Sequence, residues 1–436
     1  MKQSAPNRVK PLIQTLFIQK ALSVFGLSRV AGEDYCPGYM RTLVLLLAVV
    51  TFPSNPINAE ERDKKQPIPF SGYYQVLGDE FSFTGATLVV QNGKVIAEEF
   101  YGNASEDVAI DENTIFEIAS VTKPFTATAV MILAEDGKLS IDDPIRKWLP
   151  EVPESCESIK VRHLLNHTSG IPGTNAKGGG EDFERAANQF FLGGPRHDPG
   201  THYSYWNQGY AVLSEVIARA SGKSYTDFIR ERIFRTCEMS ATCFTGDDAP
   251  EGTKVAVGFS MKGASRKATE HPYGSYGFQY RGMGGIVTNP RDLSKFVSAL
   301  QNGTLISKPL LDQMWTESVG GYGLGWKIQG DEKELMIKHG GKVRGFLASL
   351  AIFPDVNGYA ITLSNSDFGN GIYKLHFATK NLLYEKDITA PTPPPRRHLT
   401  STSSKSNSDL SVFNLENLDL NLQIRGEEGF QFDTRE

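Results

Sequence analysis

The sequence predicts an α/β fold: one unit whose sheet is made from the two ends of a domain, with a mostly helical insertion between them. Three observations predict it. Near one end, Ala86–Val90 and Val95–Ala97 are β-rich runs on either side of Asn92-Gly93, the strongest short hairpin signal. Near the other, Phe346–Phe353 and Tyr359–Leu363 are strand-like and flank a turn at Asp355–Gly358. Between them, residues 141–280 read as helical patterns and loops, with no internal repeat.

Taken in order, the chain opens with a leader, residues 1–59, whose core is 40–59. Met40-Arg41 precedes the apolar run Thr42–Phe52, and a small-residue stretch ends at Ala59, the layout of a secretory signal peptide. The run is too short to span a bilayer, which takes about 20 apolar residues. The expectation is a secreted or periplasmic protein with no stable membrane span after signal cleavage; either Met1 or Met40 could be the start. A lead-in segment, 60–74, precedes the body, 75–388. There Phe125–Glu135 reads as a buried helix stopped at Asp136-Gly137, and Tyr210–Ala220 as an amphipathic helix closed by Ser221-Gly222. Asp292–Leu300 and Ile372–Tyr384 read as further helices. Composition then shifts to a Pro/Ser-rich linker, 389–411, and a tail, 412–436, in which Leu418–Ile424 alternates like a single strand.

Hydrophobic residues make up 40% of the chain, enough for a packed core. A formal net charge of −5, without a long basic block in the body, excludes the footprint of a nucleic-acid binder. Cleavage after Ala59 would leave Cys156, Cys237 and Cys243. Cys237 and Cys243 either pair in an oxidising compartment or stay as buried thiols. His163 and His167 are four apart, a ligand spacing on a helix, but no acidic residue sits between them as in a metalloprotease motif. No metal and no other cofactor is expected.

The chemistry concentrates in three stretches. Ser120 and Lys123 are three apart at the head of an apolar run, so a helix would stack hydroxyl on ammonium, and Pro124 suits its first turn. A serine hydroxyl needs a base, and burial lowers the proton affinity of lysine until it can serve as one. Tyr205-Trp206-Asn207 offers a phenol to shuttle protons and an amide to orient the lysine or hold a substrate, with Tyr203 as a rival for the phenol. His339-Gly340-Gly341 leaves a strand bare for close approach, and the amide of Lys342 could join that of Ser120 in an oxyanion hole.

Ser-x-x-Lys, Tyr-x-Asn and His-Gly-Gly, in this order, resemble the serine β-lactamase and penicillin-binding-protein superfamily. Within it, the chain is similar to the class C β-lactamase branch, with its D-Ala-D-Ala carboxypeptidase, esterase and D-aminopeptidase relatives. Val161–Ile171, Ile233–Met239, Gly282–Thr288 with Asp292-Leu293, and Tyr322–Trp326 also read like landmarks, so the likeness covers about 75–385. It implies a β-lactamase-like fold, an antiparallel sheet flanked by helices. It also implies a serine hydrolase with Ser120 as acylated nucleophile, Lys123 as base and Tyr205 as proton relay. Asn207, His339, Gly340 and Gly341 would meet an amide, ester or β-lactam substrate, such as a peptidoglycan-type D-amino-acid peptide. His339 and Gly340 stand where lactamases carry lysine and threonine, which disfavours strong β-lactamase activity; Lys342 or Arg344 would have to replace the cation. The alternative is a non-catalytic penicillin- or peptidoglycan-binding sensor. The sequence leaves oligomeric state open.

Overall fold

A computed structural model of the chain describes residues 66–173, 180–260, 263–331, 333–367 and 371–392. The expected signal, nearly all of the linker, and the tail lie outside the described residues. Among the described residues, no helix is long and apolar enough to cross a membrane.

Helix α1 (Phe70–Phe81) begins the described domain and runs across the expected boundary at 74–75. Strands β1 (Gly85–Gln91) and β2 (Lys94–Tyr101) follow. Asn92 and Gly93 turn between them with φ of 51° and 72°, the pair of positive angles that a tight two-residue hairpin requires. After the middle of the chain come β3 (Lys327–Gln329), β4 (Met336–Val343), β5 (Phe346–Phe353) and β6 (Gly358–Ser364). They form one six-stranded antiparallel sheet in the order β3-β4-β5-β6-β1-β2, so the two ends of the domain meet where Gly85 pairs with Ser364. Every residue of β6 and nearly every one of β5 is buried, because helices cover both faces. On one face Val89, Ala351, Phe353 and Ala360 pack with α1 and a last helix, Gly371–Leu383. On the other, Leu88, Leu350, Ile352 and Ile361 belong to the main core, which runs into the helical middle.

The insertion is less helical than its sequence pattern suggests. Residues 243–267 contribute four short strands, and Cys243–Phe244 and Lys254–Val255 join Thr114–Glu117 and Ile286–Thr288 in a second, four-stranded sheet. Strands of two to five residues are too short to display a clear period of two, which is why the sequence hides them. Cys156, Cys237 and Cys243 are all free and buried, so of the two states open to Cys237 and Cys243 the molecule adopts the thiols.

Candidate active site

The nucleophile's segment leaves the small sheet at Glu117 and turns sharply. Ala119 has φ of 46°, a left-handed conformation that costs a non-glycine residue on the order of 1 kcal/mol or more. Ala119–Val121 form a 3₁₀ turn that runs into helix α2 (Thr122–Glu135). Ser120 is therefore in the turn and Lys123 in the helix. A 3₁₀ turn has three residues per revolution, so it too brings residues i and i+3 onto one line. Pro124 is the third helical residue, where an amide would have no intrahelical partner. Residues 122–133 of α2 are buried all round.

Lys123 is fully buried, and its Nζ lies 2.9 Å from Ser120 Oγ, 2.8 Å from Asn207 Oδ1 and 3.2 Å from the Met283 carbonyl. Asn207 is the first residue of helix α3 (Asn207–Ser221), which fixes its amide. The Tyr205 ring centroid is 4.9 Å from the same nitrogen. These four predicted residues thus converge on one point. The Met283 carbonyl joins them unannounced, because a backbone acceptor has no residue-type signature.

The third stretch approaches as bare backbone. A methyl on Gly341 would stand 2.1 Å from the Ile118 carbonyl and 3.2 Å from the Ser120 amide nitrogen, so only glycine lets β4 lie this close. Lys342 follows with an exposed side chain, as does Arg344 at the β4–β5 turn. His339 is buried and its nitrogens are engaged: Nδ1 lies 2.7 Å from the Gly340 carbonyl and Nε2 2.8 Å from the Tyr322 hydroxyl. A carbonyl only accepts, so Nδ1 carries the proton and Tyr322 donates to Nε2. Burial, with Lys123 nearby, pushes the His339 pKa down to about 3. This histidine is neutral across physiological pH.

His167, weighed above only as a metal ligand, holds the Tyr205 loop instead. Its ring centroid is 4.3 Å from that of Tyr205, its Nδ1 accepts from the Trp206 amide at 3.1 Å, and its carbonyl accepts from the Ser204 amide at 2.9 Å. Burial, then the charge of Lys123, depress its pKa well below the usual value. No cluster of metal-ligating side chains occurs among the described residues.

The family model described as Beta-lactamase matches residues 77–383. A Bacillus subtilis (strain 168) penicillin-binding protein is 28% identical over 352 residues, covering 74% of this chain and 77% of the relative. A second, putative penicillin-binding protein of that organism is 32% identical over 271 residues, covering 61% of this chain and 66% of the relative. Among solved structures, the D-amino acid amidase of Ochrobactrum anthropi SV3 superposes with a TM-score of 0.61 at 22% identity, over 72% of this chain and 97% of that one. The last likeness shows a shared fold.

Proposed function

The chain belongs to the beta-lactamase family, and on that premise we propose that it is an exported serine hydrolase acting through an acyl-enzyme on Ser120. The observation that carries this is the buried Lys123 amine at 2.9 Å from the Ser120 hydroxyl. Asn207 Oδ1 and the Met283 carbonyl are pure acceptors, so they can keep two protons of a neutral amine while its lone pair turns to Ser120. Lys123 then takes the hydroxyl proton as Oγ attacks the acyl carbon. The amides of Ser120 and Lys342 receive the oxyanion, and Tyr205 passes a proton to the leaving group. Water attacks the ester on Ser120 and releases the acid. Export rests on the signal-like core at 40–59.

For the acyl donor, the neutral state of His339 supports an ester or amide without a carboxylate at that subsite. A β-lactam or a peptide with a free carboxyl terminus would have to find its cation at Lys342 or Arg344. Intact-mass measurement after incubation with a p-nitrophenyl ester, a D-Ala-D-Ala peptide and a penicillin tests the reading, with Ser120→Ala as control. Ser120-dependent turnover, fastest on the ester, is expected. A stable penicillin adduct with no turnover of any donor would instead support a binding relative.

A further inference from the structure

Away from Ser120, the described residues line a half-open cavity of about 680 Å³, bounded by α3, by residues 224–230 and 244–247, and by 274–281. Its size is that of a small-molecule site. Tyr225, Phe244 and Tyr276 give it aromatic walls. Its charges are not equally spent. Arg230 is held by Asp247 through bonds of 2.7 and 2.9 Å, and Glu215 accepts from Arg219 at 2.9 Å. Arg281 has no carboxylate partner among the described residues; it donates to the Tyr276 carbonyl at 3.0 Å and lies 4.9 Å over the Phe278 ring. The Thr245 hydroxyl is buried, its residue only 2% exposed, and meets no hydrogen-bond partner among the described residues. A guanidinium lacking a counter-ion, an orphan hydroxyl and aromatic walls form the donor set for an aromatic carboxylate.

The same walls hold the backbone that serves Lys123. Tyr225 and Thr126 hydroxyls are 2.8 Å apart, Thr126 donates to the Gly282 carbonyl at 2.7 Å, and Tyr276 donates to the Gly284 carbonyl at 2.7 Å. Between these carbonyls sits Met283, whose own carbonyl accepts from Lys123. Gly282, at φ of 77°, passes so near α3 that a methyl there would stand 2.3 Å from the Tyr210 carbonyl. The strap 282–285 is pinned on one side by α3 and on the other by the cavity wall.

We propose that this cavity is a regulatory site for a small aromatic carboxylate, which pairs with Arg281, draws its guanidinium off the Tyr276 carbonyl and loosens the strap that presents Met283 to Lys123. Binding stands independently of the reading of Ser120; the effect on rate rests on it. The test titrates 4-fluorobenzoate into the full-length Ser120→Ala protein and follows the fluorine resonance. Saturable binding is expected, weakened about tenfold by Arg281→Gln, kept within about threefold by Arg281→Lys, and abolished by Thr226→Trp, which fills the cavity from its half-buried rim. Absence of saturable binding, or an affinity indifferent to both Arg281→Gln and Thr226→Trp, overturns the proposal; if Arg281→Gln fails to fold, Thr226→Trp decides. In the wild type, 4-fluorobenzoate should lower kcat for an ester at unchanged KM. A rise in KM at constant kcat would put the probe in the Ser120 cleft and also overturn the proposal. A wild type with no turnover of any acyl donor would refute the reading of Ser120 while the titration still decides the site.

Discussion

Lys123 and Glu117 are both wholly buried and six residues apart, yet their surroundings differ in kind. Lys123 meets a hydroxyl, a side-chain amide oxygen and a backbone carbonyl, all uncharged. Glu117 meets the Arg266 guanidinium at one oxygen and the Tyr280 hydroxyl at the other. Desolvation still raises its carboxyl pKa, with Arg266 opposing. A buried cation among dipoles can give up its proton and leave every neighbour satisfied. A buried carboxylate bound to arginine cannot change charge without stranding its partner. The first arrangement suits chemistry and the second suits structure, and Tyr280 ties the second to the segment that carries Met283.

The contrast breaks most visibly at Lys123. Lys123→Met should lower turnover on the order of 10³-fold or more, while thermal unfolding shows a folded protein. Loss of the fold instead would make this lysine structural. Glu117→Ala should do the reverse, costing about 3–5 kcal/mol in urea denaturation by leaving Arg266 without its counter-charge. A cost under 1 kcal/mol would mean that solvent reaches the pair.

A third buried charge sharpens the comparison. Burial, aided by Lys327, holds Lys338 down to about 7. Between about pH 7 and the unfolded value near 10.5, the unfolded chain binds this proton and the folded protein does not. Stability should therefore rise with pH across that window, by at most about 1.4 kcal/mol per unit from this group. Lys338→Met should flatten the rise in denaturation series from pH 7 to 10, and an unchanged slope would assign it to other groups. The smallest effect concerns the thiols. With no bridge among the described cysteines, dithiothreitol should move the melting temperature by less than about 1 °C, and Cys156, Cys237 and Cys243 should all react once the protein is unfolded.

Much of this was legible in the residues. Asn92-Gly93 announces its hairpin because only such a pair adopts two positive φ angles cheaply, and Phe346–Phe353 is a strand over the very span its composition suggests. Ser120, Lys123, Tyr205 and Asn207 were legible as side chains whose chemistry is specific. The left-handed Ala119 was not, because alanine carries no sign of the strain its neighbours impose. Nor were the Met283 carbonyl and the stacking of His167 on Tyr205, which depend on chain packing that no local pattern encodes. His339 was legible as a departure from the family, but the Gly340 carbonyl that fixes its tautomer and the Tyr322 hydroxyl, from seventeen residues away, meet its ring only in the folded chain.

The pairing of β1 with β6 has a consequence in time. Gly85 waits for Ser364 before the central sheet can close, so the first hairpin emerges from the ribosome on the order of tens of seconds before its partner at about 5–20 residues per second. Until then α1 can cover one face of the hairpin, but the face carrying Leu88 and Val90 has nothing to pack against. A fold dominated by so distant a contact matures slowly, and a chain truncated before Gly358 should never mature. That delay keeps the nascent polypeptide open, its first hairpin awaiting a partner, until nearly the whole domain has been made.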